Sequence, residues 1–108
     1  MQCRVVQFQV DSGSVDDALL FVKDEVVPRL QAAGGFKGVS TLVDRSSGKV
    51  VAISHWDTVQ DVEGTRGLSA EIRDMASANL GATFLSVEEF EMGQRLDAAG
   101  KATLHLQS

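Results

Sequence analysis

The stretch GGFKGVSTLVDRSSGKVVAISHWDT, residues 34–58, decides the fold. It reads as a hairpin followed by a helix start. Phe36, Val39, Thr41, Leu42 and Val43 make one strand; Val50, Val51, Ala52, Ile53, Ser54 and Trp56 make the next. Between them Asp44, Arg45, Ser46, Ser47 and Gly48 carry turn chemistry: short polar side chains that bond their own backbone, and a glycine that tolerates positive φ. Thr58 then offers a hydroxyl to the next helix, with Asp61 three residues on. The second strand is apolar on both faces, with Val50, Ala52 and Trp56 on one and Val51 and Ile53 on the other. A sheet with one face in water alternates more cleanly, so both faces of this one need cover.

Outward from the hairpin, the order of elements completes itself. On the N-terminal side, Val6, Phe8 and Val10 alternate with Gln7 and Gln9, which predicts a strand from Cys3 to Val10. Ser14 is placed to cap a helix whose first turn carries Asp16 and Asp17, where the helix dipole favours negative charge. Val15, Leu19, Val22, Val26, Leu30 and Ala33 recur at helical spacing. Pro28 interrupts that run, removing a backbone bond and crowding the carbonyl of Asp24; a kink, or a stop and restart, is expected there. Gly34 and Gly35 end the helix.

On the C-terminal side a short helical turn, Val59 to Glu63, is broken by Gly64 and Gly67. A second helix, Leu68 to Leu80, buries Leu68, Ile72, Met75 and Ala76 and stops at Gly81. The last strand runs from Thr83 to Met92. Residues 1–93 thus form one domain and residues 94–108 an extension, in which Thr103 to Leu106 is either a short added strand or part of a loosely held tail. The predicted fold is α+β, a ferredoxin-like βαββαβ with a four-stranded antiparallel sheet and both helices on one face. The uncovered face predicts a homodimer, sheet against sheet.

Bulk properties narrow the function classes. A chain of 108 residues is one domain. A net charge of −5 argues against a nucleic-acid partner, which would want a basic stripe. No apolar run approaches the roughly 20 residues that span a bilayer, and MQCRVVQFQV lacks the layout of a signal peptide. The single cysteine, Cys3, excludes an internal disulfide; a reducing cytoplasm is the simplest home.

Taken together, a VVQFQV strand, a helix ending in a Pro-containing segment, Gly35-Phe36-Lys37-Gly38, the strand closing in Ser54-His55-Trp56-Asp57-Thr58, and a final VEEFEMG resemble the antibiotic biosynthesis monooxygenase (ABM)-like proteins of the dimeric α+β barrel superfamily, from about Arg4 to Gly93. The resemblance implies a dimer with a shared β-barrel and a pocket in each subunit between sheet and helices. Members of that group include cofactor-free monooxygenases that oxidise phenolic polyketides to quinones, haem-degrading enzymes, and isomerases of small acids. Haem-degrading members use an Asn on the first strand and a Trp and His on the second helix; here the first strand has Gln7 and Gln9, and residues 58–80 have neither Trp nor His. Quinone-forming members place a Trp at the end of the third strand, with an amide and an Arg nearby. Trp56 fits that position; the same strand face offers Ala52 and Ser54 rather than Asn, and Arg66 or Arg73 could supply the cation.

Each candidate has a structural reading beside the functional one. Trp56 is either a wall that stacks on an aromatic ligand and donates its indole N–H, or a core aromatic. His55 has the opposite parity and faces the predicted dimer interface if Trp56 faces the helices; His105 lies in the tail. Arg66 and Arg73 could hold an oxyanion, or be solvated beside Glu63 and Asp74. Asn79 could bind a substrate oxygen or cap the backbone at Gly81. Glu88, taken to share parity with Phe84 and Phe90, is a partly buried base or half of an ion pair across the dimer. Cys3 reads as a buried strand thiol. Two His and one Cys are scattered without ligand spacing, so no metal is implied, and no phosphate loop is present.

The reading that results is a cofactor-independent monooxygenase of small aromatic or phenolic, polyketide-like substrates, using no cofactor. Its apolar pocket is expected from Val6, Phe8, Phe36, Trp56 and Met75, and its donors from Trp56 with Asn79 or Arg73. The alternative is a dimeric small-molecule-binding or stress-associated protein without turnover. Haem degradation is the least supported of the three.

Overall fold

The computed structural model describes residues 1–103. Strand β1 (Gln2–Gln9) leads through a 3₁₀ turn, Ser12–Ser14, into a continuous helical stretch. Helix α1 (Val15–Phe21) passes through a π segment (Val22–Val26) into α2 (Val27–Ala33). The hairpin strands β2 (Phe36–Asp44) and β3 (Lys49–Trp56) follow, then α3 (Val59–Gly64), α4 (Arg66–Leu80) and β4 (Thr83–Glu91). The four strands form one sheet in the order β2-β3-β1-β4, every neighbouring pair antiparallel. This is the α+β, ferredoxin-like arrangement that the sequence predicts.

The local chemistry of the hairpin is as expected. Asp44 Oδ1 accepts from the backbone N–H groups of Ser46 and Ser47 and from the Ser46 hydroxyl. Gly48 sits at φ 80°, and a Cβ there would lie 2.0 Å from the Val10 carbonyl, so only glycine fits. Thr58 and Asp61 form a reciprocal capping box at the start of α3. Helix α4 ends on Gly81 in the left-handed region.

Two local expectations are corrected. Ser14 makes no side-chain cap; the helix starts instead through the 3₁₀ turn, closed by the Ser14 N–H donating to the Asp11 carbonyl. Pro28 neither stops nor restarts the helix. The turn before it is wound wider, with the Val27 N–H donating back to the Val22 carbonyl. A π segment moves the carbonyl that the proline ring would crowd, so the chain continues without a break.

Register assigns the sheet faces. Arg4 opposes Ser54, Val6 opposes Ala52 and Phe8 opposes Val50, and these side chains turn toward the helices. One core cluster joins Phe8, Val10 and Val50 to Val15, Ala18 and Phe21 of α1 and Ala76 of α4. A second joins Trp56 to Leu30 and Val62, with Phe36 and Leu68 packed on it. The other face, by alternation, carries Cys3, Val5, Leu42, Val51, Ile53, His55 and Phe90. No helix of the described residues lies on it. Leu42 is 54% exposed and Phe90 48%.

After β4 the chain makes a small loop, with a bridge between Leu96 and Ala102 and with Asp97 Oδ1 accepting from the backbone of Ala99 and Lys101. The expected strand over 103–106 reaches into residues 104–108, which with His105 lie outside the described residues. No helix of the described residues is long and apolar enough to cross a membrane.

Candidate functional site

Between the sheet and the helices lies an apolar chamber of about 70 Å³. Its floor is Val6 and Phe8 of β1, Ala52 and Ser54 of β3, Val39 of β2 and Phe84 of β4; α1, the π segment, α2 and α4 close it from above. Ile72 and Ala76 face it because they belong to the buried stripe of α4. A cavity that accepts benzene measures about 150 Å³, so the chamber alone is too small for one aromatic ring. Beside it lies a second hollow of about 210 Å³ lined by Arg4, Arg66, Ser69, Arg73, Val87 and Glu89. Arg4, Ser69 and Arg73 belong to both walls. An apolar inner chamber thus meets a charged vestibule at these three side chains.

The vestibule has a defined bonding pattern. Arg4, 3% exposed, donates to the Val62 carbonyl (2.7 Å), Thr65 Oγ1 (3.2 Å) and Glu89 Oε2 (3.1 Å). Arg66 takes the other carboxylate oxygen, Oε1, at 2.6 Å. Glu89 is therefore clamped between two guanidinium groups. The hydrogen bonds from Arg66, then Arg4, hold its carboxyl below the usual carboxylate range, against the opposing effect of burial. Burial lowers the Arg4 guanidinium below its ordinary value, Glu89 opposes that, and the charges of Arg73 and Arg66 add to it. Glu89 is a fixed anion, unsuited to serve as a general acid.

Arg73 is different. Its Nη1 donates to Ser69 Oγ at 2.6 Å, one turn back on α4. Among the described residues no carboxylate lies within ion-pair distance of it. Three arginines thus meet one carboxylate at the mouth of the chamber, and only Arg4 and Arg66 bond it.

The expected site residues divide. Val6, Phe8 and Arg73 line the chamber, and Arg66 joins Arg73 across the vestibule rather than pairing with Glu63 or Asp74. Phe36, Trp56 and Met75 stand outside the chamber wall. Trp56 is fully buried in the neighbouring cluster, its ring 5.5 Å from Phe36, and its indole N–H is donated to Ser54 Oγ at 2.9 Å. Asn79 is exposed, off the apolar stripe of α4. From Ala76 a step of four residues, to Leu80, stays on the apolar stripe, while a step of three turns off it at this end of the helix.

A bulge explains another correction. The β1–β4 register shifts between Gln7 and Phe8, which oppose Ser86 and Phe84, so Leu85 is the extra residue. Parity reverses across it. Phe84 meets Phe8 on the helix side, whereas Glu88 faces the helix-free side and is exposed. Glu88 is not a partly buried base; its neighbour Glu89 takes the place in the vestibule. Arg4 and Glu89 are the site residues that sequence reasoning passed over. Arg4 could have been found, since it shares parity with Val6 and Phe8 on an otherwise apolar strand face. Cys3 is a buried thiol pushed up by burial, its Sγ 3.7 Å from the Phe90 carbonyl.

No family model matches the chain. Two uncharacterised proteins of Mycobacterium tuberculosis H37Rv are similar to it: Rv2557, 38% identical over 89 residues, and Rv2558, 42% identical over 89 residues. Each alignment covers 82% of this chain but only 39% and 37% of the relative, so the chain spans about two-fifths of their length. Among solved structures, a Deinococcus radiodurans protein named for antibiotic biosynthesis monooxygenases superposes with a TM-score of 0.66 at 16% identity, over 90% of this chain and 97% of that one. The monooxygenase from the gene ActVA-Orf6 of Streptomyces coelicolor, solved with Nanaomycin D, gives 0.63 at 21% identity, over 90% and 92%. SnoaB, a cofactor-independent oxygenase of Streptomyces nogalater, gives 0.61 at 17%, over 88% and 95%. At these identities the likeness is one of architecture. The chain is an α+β protein of the ferredoxin-like class, and within that class it has the antibiotic biosynthesis monooxygenase-like fold.

Proposed function

We propose that the chain is a cofactor-independent monooxygenase of small aromatic or phenolic substrates, acting as a homodimer in a reducing cytoplasm. The observation that carries this is the apolar chamber with Arg73 at its mouth. An aromatic body would span chamber and vestibule, which together approach the lower end of the roughly 300–1,000 Å³ typical of small-molecule sites. Arg73, already oriented by Ser69, would hold the substrate's oxygen and favour its ionised form. In an anthrone, loss of a proton from the ring CH₂ gives a stabilised anion that reduces dioxygen. The CH₂ becomes a carbonyl carrying one oxygen atom, and the second leaves as water; the substrate supplies all four electrons. Apolar walls exclude bulk water from that anion. Two solved proteins of this fold are a monooxygenase and a cofactor-independent oxygenase, which supports the reading.

The second copy would cover the helix-free face, where Val5, Leu42, Val51, Ile53 and Phe90 are gathered. His55 Nδ1 and Ser86 Oγ, buried there without partners, would find them across such an interface.

One observation favours the alternative, a dimeric binding or stress-associated protein without turnover. The polar residues of the chamber wall are two arginines and two serines, with no carboxylate or imidazole to take a proton. The same lack of a histidine in the wall weighs against haem degradation. Oxygen uptake with 1,8-dihydroxyanthrone separates the readings. Oxygen consumption matched mole for mole by quinone formation, and lost in Arg73→Ala, is expected of the oxygenase. Binding of the anthrone without consumption would leave the binding protein.

A further inference from the structure

The charges around the vestibule do not balance. Arg4, Arg66 and Arg73 bring three positive charges to a hollow whose wall holds one carboxylate, Glu89, in a chain of net charge −5. That carboxylate is already shared between Arg4 and Arg66. Arg73, half-buried and at the junction with the apolar chamber, makes only the bond to Ser69. Its remaining guanidinium donors have no acceptor among the described residues. A guanidinium out of full contact with water and without a counter-charge is stabilised by an anion, and its planar fork matches a carboxylate in two parallel hydrogen bonds. Low-dielectric walls on the chamber side strengthen that attraction.

We propose that Arg73 is the carboxylate-binding residue of this site, and that the ligand is an organic acid whose apolar body spans chamber and vestibule while its carboxylate rests on Arg73. The proposal deepens the function proposed above, since it names the substrate class of the same site as acids rather than neutral phenols. Glu89 offsets one of the three positive charges and bonds only Arg4 and Arg66, so the bonding capacity left for an acid is that of Arg73.

Titration calorimetry of the full chain with 2-naphthoate and with its uncharged isostere 2-naphthamide tests this. Naphthoate is expected to bind about tenfold more tightly, the worth of a charge-assisted pair over a neutral contact, with the advantage shrinking as salt is raised. Arg73→Gln is expected to abolish the difference and Arg73→Lys to retain part of it, circular dichroism confirming that both variants fold. Equal affinity for the two compounds, or a difference that survives in folded Arg73→Gln, overturns the assignment. Oxygen uptake reads the other half independently. Preferential naphthoate binding with no oxygen consumed from 1,8-dihydroxyanthrone would retain the acid site and remove the oxygenase. Consumption of the anthrone with equal binding of naphthoate and naphthamide would do the reverse. Absence of binding by either naphthalene overturns the acid site as well.

Discussion

The layer between sheet and helices has two ends, and they are built on opposite rules. At one end Trp56 is enclosed by Leu30, Val62, Phe36 and Leu68, and its one polar atom is matched to Ser54. The chain approaching it is locked as well: Gly35, at φ 75°, passes so close to the Asp61 carboxylate that a Cβ would lie 2.2 Å from it. At the other end Arg73 has donors to spare and the packing leaves a cavity. The saturated end resists change and offers a ligand nothing. The unsaturated end has bonding capacity that folding does not use, which is the physical mark of a binding site. The most conspicuous aromatic of the sequence is thus buried in the scaffold, and the proposed ligand site is Arg73, beside the Arg4–Glu89–Arg66 clamp.

Five substitutions or titrations sharpen that contrast. Trp56→Ala should cost about 3–5 kcal/mol in urea denaturation, as expected for emptying a fully buried aromatic site, and Trp56→Phe about 1–3 kcal/mol by leaving Ser54 unpaired. If Trp56→Phe instead kept its stability and lost ligand binding, the site would lie at that end. Arg4→Met should cost about 3 kcal/mol, since it leaves Glu89 without its buried partner and removes the bond to the Val62 carbonyl. Because the folded-state pKa of Glu89 is depressed, its stabilisation is complete above the unfolded glutamate value near about 4.3. It is lost as pH falls through the folded value. The urea midpoint should therefore drop further between pH 6 and pH 3 in the parent than in Glu89→Gln; equal drops would show that the clamp adds nothing. Arg73→Gln should change stability by no more than about 0.5 kcal/mol, while removing the affinity for 2-naphthoate. A large loss of stability would make Arg73 a structural residue.

Much of this architecture is legible in local chemistry. The Asp44–Gly48 turn, the Thr58–Asp61 box and the glycine stop at Gly81 are short-range devices, and each is present as its residues suggest. Pro28 announced a disturbance, but whether a helix breaks or widens depends on the packing of Val22 and Val26 against the core, which lies beyond the local sequence. The site was less legible for one reason above others. A single extra residue at Leu85 reverses the parity of β4, and no turn signal marks it. Without that bulge Glu89 would face away from the helices and could not clamp Arg4. Trp56 takes the core position that is one of its two readings. Ser54, two residues before it on the same strand face, was the partner that accounted for its indole N–H.

The most direct measurement is an amide ¹H–¹⁵N shift map of the labelled chain titrated with 2-naphthoate. The account predicts shifts in β1 around Arg4, Val6 and Phe8 and along α4 from Ser69 to Ala76, with the amides of Phe36, Trp56 and Val62 unmoved. Shifts centred on Trp56, or on the helix-free face around Val51, Ile53 and His55, would contradict it.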